Sequence, residues 1–177
     1  MPESLAPLTL PRDGASPPLH FRDEPVEDDR RAVRALTAAT GAFSADECAV
    51  AAELVEARLV QGLASGYRFV FAERADSLEG YVCFGPIPLT RSSYDLYWLA
   101  VRPAAQRAGL GRRLMAMAEA AALRAGGTAM YVETSTRPQY LPTRVFYERL
   151  GYRLAAALPD FYGPGDGQAI FSKTLAR

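Results

Sequence analysis

The stretch from Tyr94 to Leu114 constrains the fold of this 177-residue chain more than any other. Its first part, Tyr94-Asp-Leu-Tyr-Trp-Leu-Ala-Val101, is apolar and aromatic and predicts a buried strand. Its last part opens a helix, because Leu110, Leu114, Met117, Ala118 and Ala121 recur at helical spacing as one apolar stripe. Gln106-Arg-Ala-Gly-Leu-Gly111 joins the two. Gly109 and Gly111 let the chain turn sharply and bring backbone close to a ligand with no Cβ in the way. The N–H groups of a helix's first turn have no intrahelical acceptor, and the helix dipole adds partial positive charge there. Arg107, Arg112 and Arg113 add full charges. A strand, glycine turn and helix of this kind predict a pocket for a phosphate group. The dinucleotide pattern G-x-G-x-x-G and the Gly-Lys-Ser/Thr of a Walker loop are both missing from it.

Composition narrows the partners. Lysine plus arginine equals aspartate plus glutamate, 20 each, and a zero net charge argues against a nucleic-acid partner. Lys173 is the sole lysine, so a cationic site here uses guanidinium groups, whose planar fork suits phosphate oxygens. Cys48 and Cys83 lack CxxC spacing and predict two buried, reduced thiols in a cytoplasmic protein. With no apolar run of about eighteen residues, no membrane span is expected. Pro2, Pro7, Pro11, Pro17 and Pro18, without the basic start and apolar core of a signal peptide, predict a flexible lead-in over 1–18 and a single domain over 19–177. His20 is the only histidine and reads as a structural or surface residue.

Along the chain, Leu19–Arg22 is a short candidate strand. Glu27–Thr40 predicts a helix with acids at its positive end and Gly41 as its stop. Ser44-Ala-Asp-Glu47 is a capping box opening a second helix, with Cys48, Ala51, Ala52, Val55 and Leu59 facing inward and Gly62 ending it. Tyr67–Glu73 and Gly80–Phe84 predict a hairpin joined by a turn over 75–79. After the central strand and main helix, Gly126-Gly127 stops the helix. Thr128–Thr134 predicts a strand, Pro142–Leu150 a short helix, and Tyr152–Leu158 and Gln168–Thr174 two last strands around a turn-rich loop at 159–166. Three strands in a row exclude a strictly alternating doubly wound sheet.

The Gln106–Gly111 run resembles the acetyl-coenzyme-A loop of the GNAT superfamily of N-acetyltransferases, Gln/Arg-x-x-Gly-x-Gly/Ala. Phe146-Tyr-Glu-Arg-Leu-Gly-Tyr152 is similar to that family's segment carrying a tyrosine near the coenzyme sulfur. The resemblance covers roughly Tyr67 to Leu175. It implies an α/β (α+β) GNAT fold, with a central mixed, mostly antiparallel sheet of about six to seven strands flanked by about four helices. It also implies an acetyl-CoA-dependent N-acetyltransferase acting on a primary amine of a small molecule or peptide by direct attack in a ternary complex. The alternative is a non-catalytic acyl-CoA-binding regulatory module of the same fold. The expected partners are a coenzyme A thioester and an amine; no metal is needed. The last strands, with apolar surface near Phe161 and Phe171, leave a homodimer as an expectation.

Acyl transfer from a thioester to an amine makes three demands. A lysine-like amine, with a pKa near 10.4, must lose its proton, roughly 4–5 kcal/mol uphill at pH 7. Charge growing on the carbonyl oxygen must meet N–H donors. The leaving thiolate gains from a proton donor. By the resemblance, Tyr147 is the donor. The base is Glu133, Asp95, or a water chain ending at either; a carboxylate amid the apolar run around Asp95 needs a reason to be there. Leu99, Ala100 and Val101 are implied to line the pantetheine arm, and Gln106, Arg107, Ala108, Gly109, Leu110, Gly111 and Arg112 to hold the diphosphate. Tyr140 stands where many members carry a coenzyme-contacting asparagine, seven residues before Tyr147; it takes that place or walls the acceptor site. Tyr97 and Trp98 read as packing residues, and Asp160 and Asp166 as acids that could attract a cation.

Overall fold

A computed structural model describes residues 17–75 and 77–176; the expected lead-in falls, over 1–16, outside the described residues. The elements run β1 (His20–Arg22), α1 (Asp29–Thr40), α2 (Ala45–Gln61), β2 (Arg68–Arg74), β3 (Ser77–Pro86), β4 (Ser93–Val101), α3 (Leu110–Arg124), β5 (Ala129–Ser135), α4 (Leu141–Arg149), β6 (Arg153–Gly163) and β7 (Asp166–Thr174). The strands form one seven-stranded sheet in the order β1-β2-β3-β4-β5-β7-β6. Only β4 and β5 run parallel, and α3 is the crossover that a parallel pair requires. This is the mixed, mostly antiparallel sheet with four helices that the sequence implied.

Local chemistry sets the helix ends. The Ser44 side chain accepts from the Glu47 N–H while the Glu47 carboxylate accepts from the Ser44 N–H, which closes the capping box of α2. Gly41 ends α1 in the left-handed region at φ +66°. Strand alternation then splits the core in two. Phe69, Phe71, Tyr81 and Cys83 face α1 and α2, whereas Val70, Ala72, Val82 and Phe84 face α3. Cys48 and Cys83 are free thiols buried on the α1/α2 side. His20 is exposed on the edge strand. No helix among the described residues is long and apolar enough to cross a membrane.

Two irregularities open the sheet. Opposite Cys83 and Phe84, β4 carries one extra residue: Cys83 faces Trp98 and Phe84 faces Leu96, so Tyr97 bulges. Consecutive Tyr97 and Trp98 therefore both pack on the α1/α2 side. In addition, β4 and β5 pair only from Ser93–Ala129 to Leu96–Val132. Beyond that point β4 stays with β3 and β5 stays with β7, leaving a V between the strands.

The structure corrects four local expectations. The β2–β3 turn is tighter than 75–79, because Arg74 already faces Ser77 and Ala75 takes the left-handed turn conformation, φ +47°. Residues 159–162 belong to β6 as a wide bulge between the Leu158–Gln168 and Gly163–Asp166 pairs, with Asp160 left-handed at φ +53° and its carboxylate accepting the Gly165 N–H at 2.7 Å. On α3 the buried stripe is Leu110, Leu114, Met115, Ala118 and Ala122. This i, i+4 ridge lies on the sheet and turns Met117 to the helix flank. Phe171 is buried against Tyr147, so of the two suggested surface aromatics only Phe161 is exposed.

Candidate active site

Three connected spaces occupy the V and its mouth. A groove of about 790 Å³ lies between the end of β4, the loop before α3, and α4. A cavity of about 500 Å³ lies on the α1/α2 side, walled by β4, β5, the α1–α2 connection and the β6–β7 hairpin. A throat of about 240 Å³ shares walls with both. Tyr147 lines the groove and the throat. Glu133, Trp98 and Tyr140 line the throat and the cavity.

One wall of the groove is backbone, and side chains of α4 form the other. Gly109 is the N-cap of α3, left-handed at φ +82°, and no side chain caps that end. The first-turn N–H groups of α3 thus face the groove without protein acceptors. A Cβ at Gly109 would meet nothing within 4 Å, while one at Gly111 would touch the Phe146 ring at 3.4 Å. Arg107 and Arg112 line the groove, and among the described residues neither has a carboxylate partner. Arg113 does not join them; its guanidinium lies 4.6 Å from the centre of the Phe21 ring. Gln106 turns back and donates to the Val101 carbonyl at 3.0 Å, which fixes the turn out of β4. Leu99 and Val101 line groove and throat, and buried Ala100 lines the throat. Where β5 departs, the edge of β4 keeps backbone polar groups with no strand partner. An uncapped helix start, unpaired guanidinium groups and open space over a glycine fit a diphosphate.

The cavity is built from side chains. Phe43, Tyr97, Trp98, Tyr140 and Tyr162 form aromatic walls, and Glu47, Asp95, Glu133 and Asp166 bring four carboxylates against Arg137. Three of these acids are engaged. Glu47 belongs to the capping box. Glu133 accepts from Gln168 Nε2 at 2.6 Å. Asp166 accepts from Ser135 Oγ at 2.5 Å and pairs with Arg137 Nε at 3.0 Å. Asp95 has no hydrogen-bond partner among the described residues. Desolvation by burial and, second, the nearby Glu133 charge push its pKa up to about 6. Burial, followed by the Asp95 charge, lifts Tyr97 to about 12. Asp160 lies outside the cavity, held by its own hairpin.

Tyr147 is buried among Phe146, Tyr152 and Phe171. Burial pushes its phenol well above the ordinary tyrosine range, so it is a neutral O–H at physiological pH. Tyr140 lies apart from the groove, and its hydroxyl donates to the Ala42 carbonyl at 3.0 Å. That bond ties the segment before α4 to the α1–α2 connection across the cavity mouth.

A family model described as an acetyltransferase (GNAT) domain matches residues 65–154, which include β4, the Gln106–Gly111 loop, α3 and α4. The blasticidin-S acetyltransferase of Streptomyces morookaense is 34% identical over 122 residues, covering 69% of this chain and 82% of that one. The chain belongs to the GNAT acetyltransferase family. It is an acyltransferase, and its acetyl donor is acetyl-CoA. A solved structure of a GNAT-family protein from Desulfovibrio desulfuricans superposes with a TM-score of 0.88 at 43% identity, covering 90% of this chain and all (100%) of that one. An aminoglycoside 6'-N-acetyltransferase complexed with coenzyme A superposes with a TM-score of 0.69 at 20% identity, covering 90% and 97%, and shares the fold.

Of the residues named from sequence, Leu99, Val101, Gln106, Arg107, Gly109, Leu110, Gly111, Arg112 and Tyr147 line the groove and Ala108 does not, and the residues around the acetyltransferase's cavity were named only in part. Phe43, Gln168 and Tyr162 carry no local signal, since a phenylalanine after a helix and a glutamine on a strand are ordinary. Register decides their place: Gln168 faces Ser135 on β5, and the wide bulge in β6 swings Tyr162 over the same end of the sheet.

Proposed function

We propose that this acetyltransferase acts on a primary amine of a small cationic molecule, by direct attack within a ternary complex. One observation carries the reading: Tyr147 and Glu133 border the same throat, with an anion-binding groove on one side and, on the other, an acidic, aromatic cavity in which Asp95 stands beside Glu133.

In this reading the first-turn N–H groups of α3, with Arg107 and Arg112, hold the diphosphate. Leu99, Ala100 and Val101 guide the pantetheine arm along the free edge of β4, and the Leu99 N–H meets the thioester oxygen as charge builds there. The four carboxylates attract the protonated acceptor, and the aromatic walls exclude water from it. Asp95 takes the proton that the amine must lose. A carboxylate at about 6 lies closer to the amine's ~10.4 than an ordinary aspartate, so less driving force opposes the transfer. As the C–N bond forms and the C–S bond breaks, Tyr147 gives its proton to the sulfur, and the second proton shed by the nitrogen returns through water to the Tyr147 oxygen. Tyr140 walls the acceptor side. The similarity to a blasticidin-S acetyltransferase supports a small-molecule acceptor.

The test is acetyl-CoA-dependent thiol release with a panel of amines: blasticidin S, an aminoglycoside, an alanine-ended peptide and an arylamine that is uncharged at assay pH. Turnover is expected with one or both small cations and at least about tenfold lower kcat/KM with the other two. Preference for the neutral amine or the peptide would overturn the acceptor class.

A further inference from the structure

A second concavity lies on the opposite flank of α3, away from the V. It encloses about 680 Å³ between the outer side of α3, the end of β2 and the chain leaving β1. Its origin is topological. Strand β1 covers β2 only over Phe71–Glu73, so the Arg68–Val70 part of β2 has no neighbour on its outer edge. The buried ridge of α3 sits over the centre of the sheet, and its flank residues Ala116, Met117, Ala120 and Ala121 form a smooth apolar floor.

Cations border this floor. Arg68 shares the α3 side of β2 with Val70, by strand alternation, and Arg124 stands at the end of α3. Among the described residues neither has a carboxylate partner. Arg22 also lines the space, but Asp29 and Glu73 occupy its charge. Arg58 is the telling residue. Its side chain is only 9% exposed, and Nη2 donates to both Glu24 oxygens at 2.8 Å. Its Nε is buried with no acceptor among the described residues. Native structures rarely leave a buried charged donor unmatched. Against Arg68, Arg124 and the spare Arg58 donor stands, among the described residues of the lining, one unpaired carboxylate, Asp23.

We infer that this groove is a binding site for an organic monoanion: a carboxylate held by Arg68, Arg124 and Arg58, with an apolar body on the alanine–methionine floor of α3. The site is separate from the acetyl-transfer centre and does not depend on the acceptor reading above. Its floor belongs to the helix whose first turn faces the coenzyme groove, so an occupant would touch the element that presents that groove.

Methionine reports on it. The chain has four methionines, and of these Met115 and Met130 are buried in the core while Met117 is 37% exposed at the groove floor. Octanoate and 1-octanol are titrated, below micelle formation, into protein labelled with [13C-methyl]methionine and saturated with coenzyme A to block the other groove. Octanoate is expected to move the Met117 methyl signal saturably, with Met115 and Met130 unmoved, and 1-octanol to need at least about tenfold higher concentration. Arg68→Ala/Arg124→Ala is expected to weaken octanoate about tenfold and leave 1-octanol unchanged. Unaltered Met115 and Met130 signals in that variant show that it is folded; if they change, the two single variants are titrated instead. The proposal is overturned by a Met117 signal indifferent to octanoate, equal affinity for the alcohol, undiminished octanoate binding in the variants, or movement of all the core signals together.

Discussion

The groove proposed for the coenzyme and the cavity proposed for the acceptor sit on either side of one throat, yet they are made of different material. The groove's binding wall is backbone: the uncapped start of α3, the left-handed Gly109 and the free edge of β4, facing the side chains of α4. The cavity uses side chains from five places in the chain: the α1–α2 connection, β4, β5, the turn before α4, and the β6–β7 hairpin. Backbone donors stay in place when neighbouring side chains change, so one half of the site can hold a constant ligand while the other is rebuilt for different acceptors. Substitutions should therefore sort by side: those in the groove alter coenzyme binding, those in the cavity alter acceptor binding and pH dependence, and Tyr147 alters turnover alone.

Tyr147→Phe is the strongest test. Losing the proton donor should lower kcat roughly a hundredfold, the low end of general acid catalysis, with coenzyme affinity within about twofold of the parent. If kcat holds at every pH, the throat has no acid at that position. Gly109→Val comes next. A β-branched residue at φ +82° is strained by about 1–3 kcal/mol and fills the space above the loop, so coenzyme A affinity measured by calorimetry should fall at least about tenfold. Undiminished binding would remove the distinction between the two halves.

Asp95→Asn should reduce turnover about tenfold near neutral pH and abolish the acidic limb of the profile, which in the parent rises with pH through about 6. The same change has a signed effect on stability. The folded pKa of Asp95 lies above the unfolded ~3.9, so its favourable contribution is complete below that value and is lost as pH rises through about 6. Chemical denaturation should thus find Asp95→Asn more stable than the parent above pH 6, with the advantage vanishing near pH 4. In Glu133→Gln the acidic limb should shift to lower pH, because one like charge is gone, but remain above the ordinary aspartate range because burial is the larger cause. A limb that does not move would uncouple the two carboxylates. Tyr140→Phe is the mildest change: losing the hydrogen bond to Ala42, about 0.5–1.5 kcal/mol, should raise acceptor KM about three- to tenfold and leave coenzyme KM alone.

The comparison also explains what could be read in advance. The Gln106–Gly111 loop is contiguous, and its glycines and arginines announce an anion-binding helix start before any fold is known. The capping box, the helix stops and the strand order are local in the same sense. The 159–166 stretch misled because proline, glycine and aspartate in an edge strand with a wide bulge look the same in sequence as they do in a loop. Met117 misled because helical spacing alone does not say which side of an alanine-rich helix meets the sheet; Met115 does so here.

By itself the sequence determined a strand, a glycine turn and a helix start competent to hold phosphate, and with them the family. Tertiary structure alone decided that β4 and β5 part after Leu96 and Val132, that a bulge turns Tyr97 and Trp98 to one side, and that Asp95, unlike the other three cavity acids, has no partner among the described residues. The physical reason is range. Turn geometry and orphan N–H groups arise from a few adjacent residues, whereas the protonation and pairing of a carboxylate depend on whatever the rest of the chain packs around it.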